Sequence, residues 1–466
     1  GERQNCVNAH SSESCIMPIV GAGVHQLKTG STQAIELYEY LLKKNPADYE
    51  SRWMINIAYM TLGEYPNNVP KQWLIPGLDK NDPLFEIKPF EDVASQIGFN
   101  YRNNAGGLIV EDFNNDNYLD IVTSDWNLTG HMHFLLNDTQ GNFKDISTSS
   151  NLGKFTGGLN MIHADYDNDG DNDILVLRGG WMGIYGEQPN SLLRNNGDNT
   201  FTDVTKQSGL YSECPTQTGV WRDFNNDGWL DLFIGNESAT KSYPCQLYIS
   251  NKNGTFTESA TLAMCDIVGF VKGVHAADID NDGLQDIVIS SFEGRTILKN
   301  MGANENNIPL FRPLNAGLND LDNIQTFPIW FFDYDNDGWQ DIFVSGYKPD
   351  ISMAYSSAAD VLGVTNKSST LYLYHNNQDG TFTNVSEYAR LNKVVFPMGS
   401  NFGDIDNDGY LDMYLGTGNP LFSSLMPNKL FRNMGNGTFA DVTVSGRVGN
   451  LQKGHGVSFA DLNNDG

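Results

Sequence analysis

Residues 164–177 read ADYDNDGDNDILVL, with aspartates at 165, 167, 169, 171 and 173 followed at once by an apolar run. Carboxylates this close repel one another unless a cation holds them. The underlying pattern is D-x-D/N-x-D-G-x-x-D. In a tight loop the side chains at positions 1, 3 and 5 converge on one point, and the main-chain carbonyl at position 7 joins them. The carboxylate at position 9 can close the sphere bidentately, and glycine at position 6 permits the sharp turn. A flexible, all-oxygen set of six or seven donors suits Ca²⁺ better than Mg²⁺, which demands a rigid octahedron. Zinc or copper would call for His or Cys, and the loops contain neither.

The pattern is written seven times. Its candidate ligands at positions 1, 3, 5, 7 and 9 are Asp112, Asn114, Asp116, Tyr118 and Asp120, then Asp165, Asp167, Asp169, Asp171 and Asp173. They continue as Asp223, Asn225, Asp227, Trp229 and Asp231, then Asp278, Asp280, Asp282, Leu284 and Asp286. Two further copies carry Asp333, Asp335, Asp337, Trp339 and Asp341, and Asp404, Asp406, Asp408, Tyr410 and Asp412. The last copy has Asp461, Asn463 and Asp465. Position 7 acts through its main chain, so the side chain of Asp171 is spare. About six to seven Ca²⁺ ions are expected. Asn114 and Asn225 leave their loops three carboxylates instead of four, and Asn117 stands where Gly is usual. Those two loops are expected to bind more weakly. A merely solvated acidic turn predicts looser spacing, whereas the six complete copies all keep Asp at 1, 5 and 9. An EF-hand would need flanking helices and Glu at position 12.

The elements that must hold these loops can be read around them. Each loop leads into a short apolar run such as DIVISS or DLFIG. A second signature follows, as in LLRNNGDNTFTDVT, LYISNKNGTFTES, LYHNNQDGTFTNVS and LFRNMGNGTFADVT, which reads as two β runs joined by an Asn/Gly turn. One unit is therefore strand, acidic loop, strand, variable connection, strand, turn, strand. Start-to-start intervals run from 53 to 71 residues. Four antiparallel strands in such a repeat make one propeller blade, which cannot bury its own faces and must stack on neighbours. The expected fold is mainly β: a seven-bladed β-propeller with calcium loops in the blades, preceded by a small α-helical segment. A β-solenoid has shorter repeats and lacks the paired hairpins.

The expected organisation is an N-terminal Cys/His-containing segment over 1–28, a tetratricopeptide-like helical segment over 29–78 and the propeller over 79–466. Residues 31–66 place apolar side chains at helical spacing, broken by NPAD. One helix pair cannot form its own core, so it packs on the propeller or on a partner. PFEDVASQIGF (89–99) resembles the end of a blade, FTDVTKQSGL (201–210), and is expected to complete the last blade as a strand. The seventh blade has its acidic loop but no further strands before Gly466, which points to a fragment or to strands supplied by another chain.

Bulk composition agrees with cation binding. A formal charge of −28 over 466 residues argues against nucleic acid as a partner. The 20 Tyr, 25 Phe and 8 Trp exclude a disordered acidic chain. Six divalent ions would cancel close to half of the negative excess. No apolar run reaches the length of a membrane span.

These loops and hairpins resemble the FG-GAP/VCBS repeats of integrin alpha-subunit propellers. Stretches such as RGGWMGIYGEQPNSLLRNNGD and LQKGHGVSFADLNNDG bring the chain nearer to the cartilage-acidic-protein-like family. The resemblance covers about 85–466. It implies a secreted or surface-exposed calcium-binding propeller for adhesion or extracellular structure, with no catalytic residues to carry over. The partner would be an extracellular protein or glycan, or further copies of the chain. A self-assembling extracellular filament is the alternative, and an enzyme using the aromatic loop face the least favoured.

Other constellations are weaker. Cys6, His10, Cys15 and His25 fit no zinc spacing, so a Cys6–Cys15 disulfide is preferred. Cys214–Cys245 is the second expected pair, with Cys265 left over. Asn-x-Ser/Thr sites at Asn127, Asn137, Asn236, Asn253, Asn366, Asn384 and Asn436 are glycosylation candidates. GHMHF sets His131 and His133 on one face of a strand as a possible copper or zinc pair, while His163, His275 and His455 lie near inner-strand ends. The connections opposite the loops carry Trp126, Trp181, Met182, Tyr185, Tyr347, Tyr355 and Phe422, which serve either binding or packing.

Overall fold

Position 9 of every complete motif is the first residue of a strand: Asp120–Thr123, Asp173–Leu177, Asp231–Asn236, Asp286–Ser291, Asp341–Gly346 and Asp412–Thr417. These strands are buried almost end to end, as strands covered on both faces must be. The structure is a computed structural model and describes residues 5, 11–99, 101, 103–239, 241–419, 421 and 424–464. Cys6, His10, Phe422 and Asp465 lie outside them. Six four-stranded antiparallel sheets are present among the described residues, at 108–145, 160–203, 216–258, 271–313, 326–384 and 397–441, each pairing its strands in chain order. They are numbered here as blades one to six.

The chain forms two compact units, one of residues 1–93, 346–371 and 386–457, the other of 94–345, 372–385 and 458–466. In the second unit the first strand of each of blades one to four lies against the first strand of the next. Their cores are shared between neighbours. Ile109, Val122 and Phe134 of blade one pack with Met161, Val176 and Phe201 of blade two. Blades two and three share Leu175, Leu192, Trp221 and Leu232, and the same holds for three with four and four with five. No blade could bury its faces alone, which is the physical content of a propeller.

A backbone staple repeats with the blades. A Phe in the fourth strand donates its N–H to the turn that ends the preceding blade: Phe201 to Ser150, Phe256 to Ser208, Phe311 to Ala263 and Phe382 to Ala316, at 2.8–2.9 Å. Phe143 of blade one donates in the same way to Ile97, at 3.1 Å. Residues 94–98 are thus the end-of-blade turn, and the expected strand over 89–99 is absent because no neighbouring strand offers it a ladder. The seventh copy of the repeat likewise supplies its acidic loop and no sheet. The described residues 452–464 contain no strand, so six blades replace the seven expected. A lone first strand has no partner for its backbone groups.

In the other unit, helices α1 (Thr29–Lys44) and α2 (Tyr49–Thr61) form the expected pair, with Asp48 capping α2 through the Ser51 N–H at 3.0 Å. The connection that carries Tyr347 and Tyr355 contains helix α3 (Met353–Val361). Its cap, Ser352, accepts the Tyr355 N–H and donates to Glu50 Oε2 at 2.6 Å. Trp53 is 2 % exposed and donates its indole N–H to Leu425 O at 2.8 Å. The pair therefore packs on blade six and its neighbouring insertion.

Two groups of expected modifications are corrected. Cys214 and Cys245 carry separate thiols, because Cys245 turns into an apolar core beside Cys265. Burial pushes the Cys245 thiol up to about 12. Asn137 and Asn236 are buried, with amides donating to Leu119 O and Pro244 O, so neither can accept a glycan. Asn127, Asn253, Asn384 and Asn436 are exposed and Asn366 half-buried.

Candidate functional site

The six complete loops are built identically from their own carboxylates. At position 1, Oδ1 accepts the N–H of position 5 at 3.0–3.2 Å and Oδ2 that of position 6 at 2.6–2.9 Å. Position 5 accepts the N–H of position 7 at 2.9–3.1 Å. The main chains of Tyr118, Asp171, Trp229, Leu284, Trp339 and Tyr410 are thereby turned into their loops. Position 9 holds the blade itself: Oδ1 accepts an N–H from the third strand at 2.6–2.9 Å, and Oδ2 that of position 2 at 2.8–3.4 Å. Each of these carboxylates is therefore a structural staple as well as a candidate ligand.

Burial shows in their acidity. It pushes Asp120, Asp231 and Asp412 up to about 7, Asp173 and Asp341 to about 8 and Asp286 to about 6, against the pull of the backbone N–H groups. Carboxylate oxygens of Asp165, Asp167 and Asp173 lie within 4.8 Å of one another, as do those of Asp278, Asp280 and Asp282, Asp333, Asp335 and Asp341, and Asp404, Asp406 and Asp412. A cation fits here on a further observation. Asp167 Oδ1, Asn225 Oδ1 and Asp335 Oδ1, all at position 3, are buried without a hydrogen-bond partner. Asp171 instead accepts from Asn115 of the neighbouring loop at 2.9 Å, so its side chain is spare as expected.

Two features escaped the sequence reading. The first is the third-strand residue just before the one whose N–H position 9 accepts: Leu136, Arg194, Ile249, Lys299, His375 and Arg432. Lys299 Nζ lies 2.6 Å from Asp280 and 2.7 Å from Asp282, and Arg432 lies 2.6 Å from both Asp406 and Asp408. His375 Nδ1 lies 3.4 Å from Asp335 and from Asp341. The signal was the residue preceding the hairpin Asn in ILKNM, LYHNN and LFRNM.

The second is position 4, Asn in all seven copies, held at φ +56° to +59°. In Asn115, Asn168, Asn226, Asn281 and Asn464 its amide donates to position 6 of the next loop, as in Asn226 to Gly283 O at 2.8 Å. Asn464 donates to Asn117 O at 3.2 Å and Leu462 O accepts from Asn137 at 3.2 Å, so Asp461, Asn463 and their neighbours sit at blade one as the preceding loop.

The histidine pair does not assemble. His131 faces Gly153 O at 2.8 Å, whereas His133 stacks on Tyr101 and lies 3.6 Å from Asp145. His163 pairs with Glu111 at 3.0 Å, and half-buried His275, pushed down to about 3 by desolvation, accepts the Phe331 N–H.

Away from the loops, Trp126, Trp181, Met182 and Tyr185 line a cleft of about 540 Å³ with Asn104, Asn127 and Leu128. Trp126 donates to Gly180 O at 3.0 Å. The Trp181 ring lies 3.5 Å from Nζ of Lys272, a buried cation ion-paired with Glu237. Tyr347 is buried and donates to Gly418 O, and Tyr355 lies on α3 against Tyr49, so neither joins this cleft.

The FG-GAP-like repeat family matches residues 112–176, 223–289 and 357–415. Cartilage acidic protein 1 of Xenopus tropicalis is 28 % identical over 210 residues, 43 % of this chain and 30 % of that protein. Cartilage acidic protein 1 of Homo sapiens is 28 % identical over 170 residues, 35 % of this chain and 25 % of that protein. The chain thus matches less than a third of the length of these curated relatives. Among solved structures, it is similar to an Agrocybe aegerita lectin described as recognising non-reducing terminal N-acetylglucosamine, at 17 % identity and TM-score 0.46 over 78 % of this chain and 87 % of that one. It is also similar to the V. cholerae biofilm matrix protein Bap1, at 15 % identity and TM-score 0.39 over 66 % and 43 %. Matched repeats and stacked blades agree on one statement: the chain carries FG-GAP-like repeats, folded as four-stranded propeller blades.

Proposed function

We propose that this protein is a secreted or cell-surface calcium-binding propeller that serves as a non-enzymatic adhesion or extracellular structural module. The observation that carries the calcium assignment is the orphaned, buried oxygen at position 3 of loops two and five, on carboxylates that belong to sets of converging carboxylates; position 3 of loop three has an orphaned oxygen too. A hard divalent cation would supply charge neutralisation and a partner for those oxygens. The chain's own part is to pre-form the cage through backbone N–H groups, so that little ordering remains to be done on binding. Kinship with cartilage acidic protein 1 supports an extracellular setting, as do the four exposed Asn-x-Ser/Thr sites. Among the described residues no helix is long and apolar enough to cross a membrane. The partner is an extracellular protein or glycan, and the aromatic cleft at Trp126 and Trp181 is where it would dock.

The test is calcium stoichiometry measured together with thermal stability, with and without chelator. Five to seven bound ions and a chelator-induced drop of about 10 °C or more support the assignment. Equal melting in calcium and in chelator, with no calcium retained on dialysis, overturns it.

A further inference from the structure

Loop five differs from the other complete loops in one donor. His375, on the third strand of blade five (Leu371–Asn376), stands where blade four has Lys299 and blade six Arg432, while blades one and three offer only the hydrocarbon of Leu136 and Ile249. Its Nδ1 and the carboxylate oxygens of Asp335 and Asp337 lie within 4.8 Å of one another. We propose that loop five is a mixed imidazole–carboxylate site which takes a zinc- or cobalt-type transition ion in preference to calcium. The inference rests on the acidic loops being cation sites, and it changes the ion at one of them.

Two orphaned atoms carry the argument. His375 Nδ1 is buried without a hydrogen-bond partner, and so is Asp335 Oδ1 on the carboxylate beside it. The competing explanation is a third tethered cation, an imidazolium doing the work of Lys299. An imidazolium N–H would close to hydrogen-bond distance on one carboxylate, as Lys299 does at 2.6 Å. His375 Nδ1 instead stands equally far, 3.4 Å, from Asp335 Oδ2 and Asp341 Oδ1. Donors held about 2.1 Å from one tetrahedral ion are themselves about 3.4 Å apart, so the spacing is that of ligands around a shared metal. The donor chemistry agrees. Neutral imidazole is a poor ligand for calcium, which takes oxygen, and a good one for zinc and its neighbours when two or three carboxylates complete the set. Tyr334 sets its ring edge-on to the imidazole at 6.2 Å and limits its reorientation.

The full chain, stripped with chelator and returned to millimolar calcium, is titrated with cobalt(II) and followed by visible absorption and equilibrium dialysis. One cobalt per chain, with d–d absorption and no displacement by calcium, is expected. His375→Gln loses that cobalt while the other loops keep their calcium. Lys299→His, which puts an imidazole at the same register of loop four, gains a second. Cobalt uptake unchanged in His375→Gln, or calcium bound with no cobalt retained, overturns the proposal. Cobalt bound without calcium upholds it and overturns the calcium assignment of the other loops; uptake of neither ion overturns both.

Discussion

Lys299 reaches from the third strand of blade four into that blade's own acidic loop and sets its Nζ 2.6 Å from Asp280. Arg432 does the same in blade six, 2.6 Å from Asp406. Two of the six complete loops thus carry a counter-ion tethered to the third strand, and in both the position-3 carboxylate is satisfied; in loop three Lys252 reaches only Asp227, at 3.3 Å, and in loops two, three and five the position-3 oxygen is orphaned. A metal entering loops four and six must displace a cation first.

Lys299→Met should therefore raise the calcium affinity of loop four by about tenfold, the equivalent of one charge-assisted hydrogen bond no longer to be broken. The same variant should melt lower than the parent in chelator, where repulsion among Asp278, Asp280 and Asp282 goes unanswered. Calorimetric titration and paired melting curves read both effects; unchanged affinity at every site would show that the ammonium does not compete.

The metal-free protein should lose stability as pH rises. The position-9 carboxylates titrate between about 6 and 8 in the folded state, pushed up by burial, against about 3.9 in an unfolded chain. Between those values the folded state binds more protons, so the contribution is whole below about pH 4 and is lost as pH rises through 6 to 8. Melting in chelator should fall by about 5 °C or more from pH 5 to 8.5. Calcium, which favours the ionised form, should flatten the curve. A chelated protein whose melting temperature climbs over that range would contradict the assignment of these groups.

Position 9 and position 5 should separate in mutagenesis. Asp341→Ala leaves the Asn376 and Tyr334 N–H groups without acceptors in a buried setting and should cost about 2–5 kcal/mol even in chelator. Asp337→Asn keeps most of the loop's own bonds and should matter chiefly when calcium is present. Urea unfolding of both variants, with calcium and with chelator, measures the difference; equal losses in chelator would refute the staple.

Lys272 is buried under Trp181 and paired with Glu237, which also accepts the Trp181 N–H at 2.8 Å. Burial lowers the Lys272 ammonium to about 8. Lys272→Ala strands a buried carboxylate and should cost about 3–5 kcal/mol, while Lys272→Met with Glu237→Gln should recover most of it. Tryptophan emission should shift to longer wavelength in the single variant as the Trp181 loop loosens. An unshifted spectrum with full stability would show that the pair does not anchor the cleft.

The repeat was legible in one dimension because its cause is local. Asp at 1, 5 and 9 and a turn residue at 6 act within nine residues, and each loop closes through its own carboxylates just where the spacing places them. Helices α1 and α2 were visible for the same reason, through periodicity and the break at NPAD. Helix α3 was hidden because its length lay inside a connection judged by its aromatics, although Ser352 and the Ala-rich run after it were its signals. The cysteines were misjudged because packing between blades decides which connections are buried, and the Asn137 and Asn236 sites because the surroundings of a strand end are set by partners far along the chain.

The amino-acid order by itself determined the blade unit, the acidic cages and the kind of donor they hold, since those follow from short-range spacing and chemistry. Only the tertiary structure decided which loops receive Lys299, Arg432 or His375, how loop 461–464 comes to rest beside Asn117 and Asn137, and that position 9 is a buried staple. Each of those depends on strands meeting across hairpins and blades, where register brings together residues that no local pattern links.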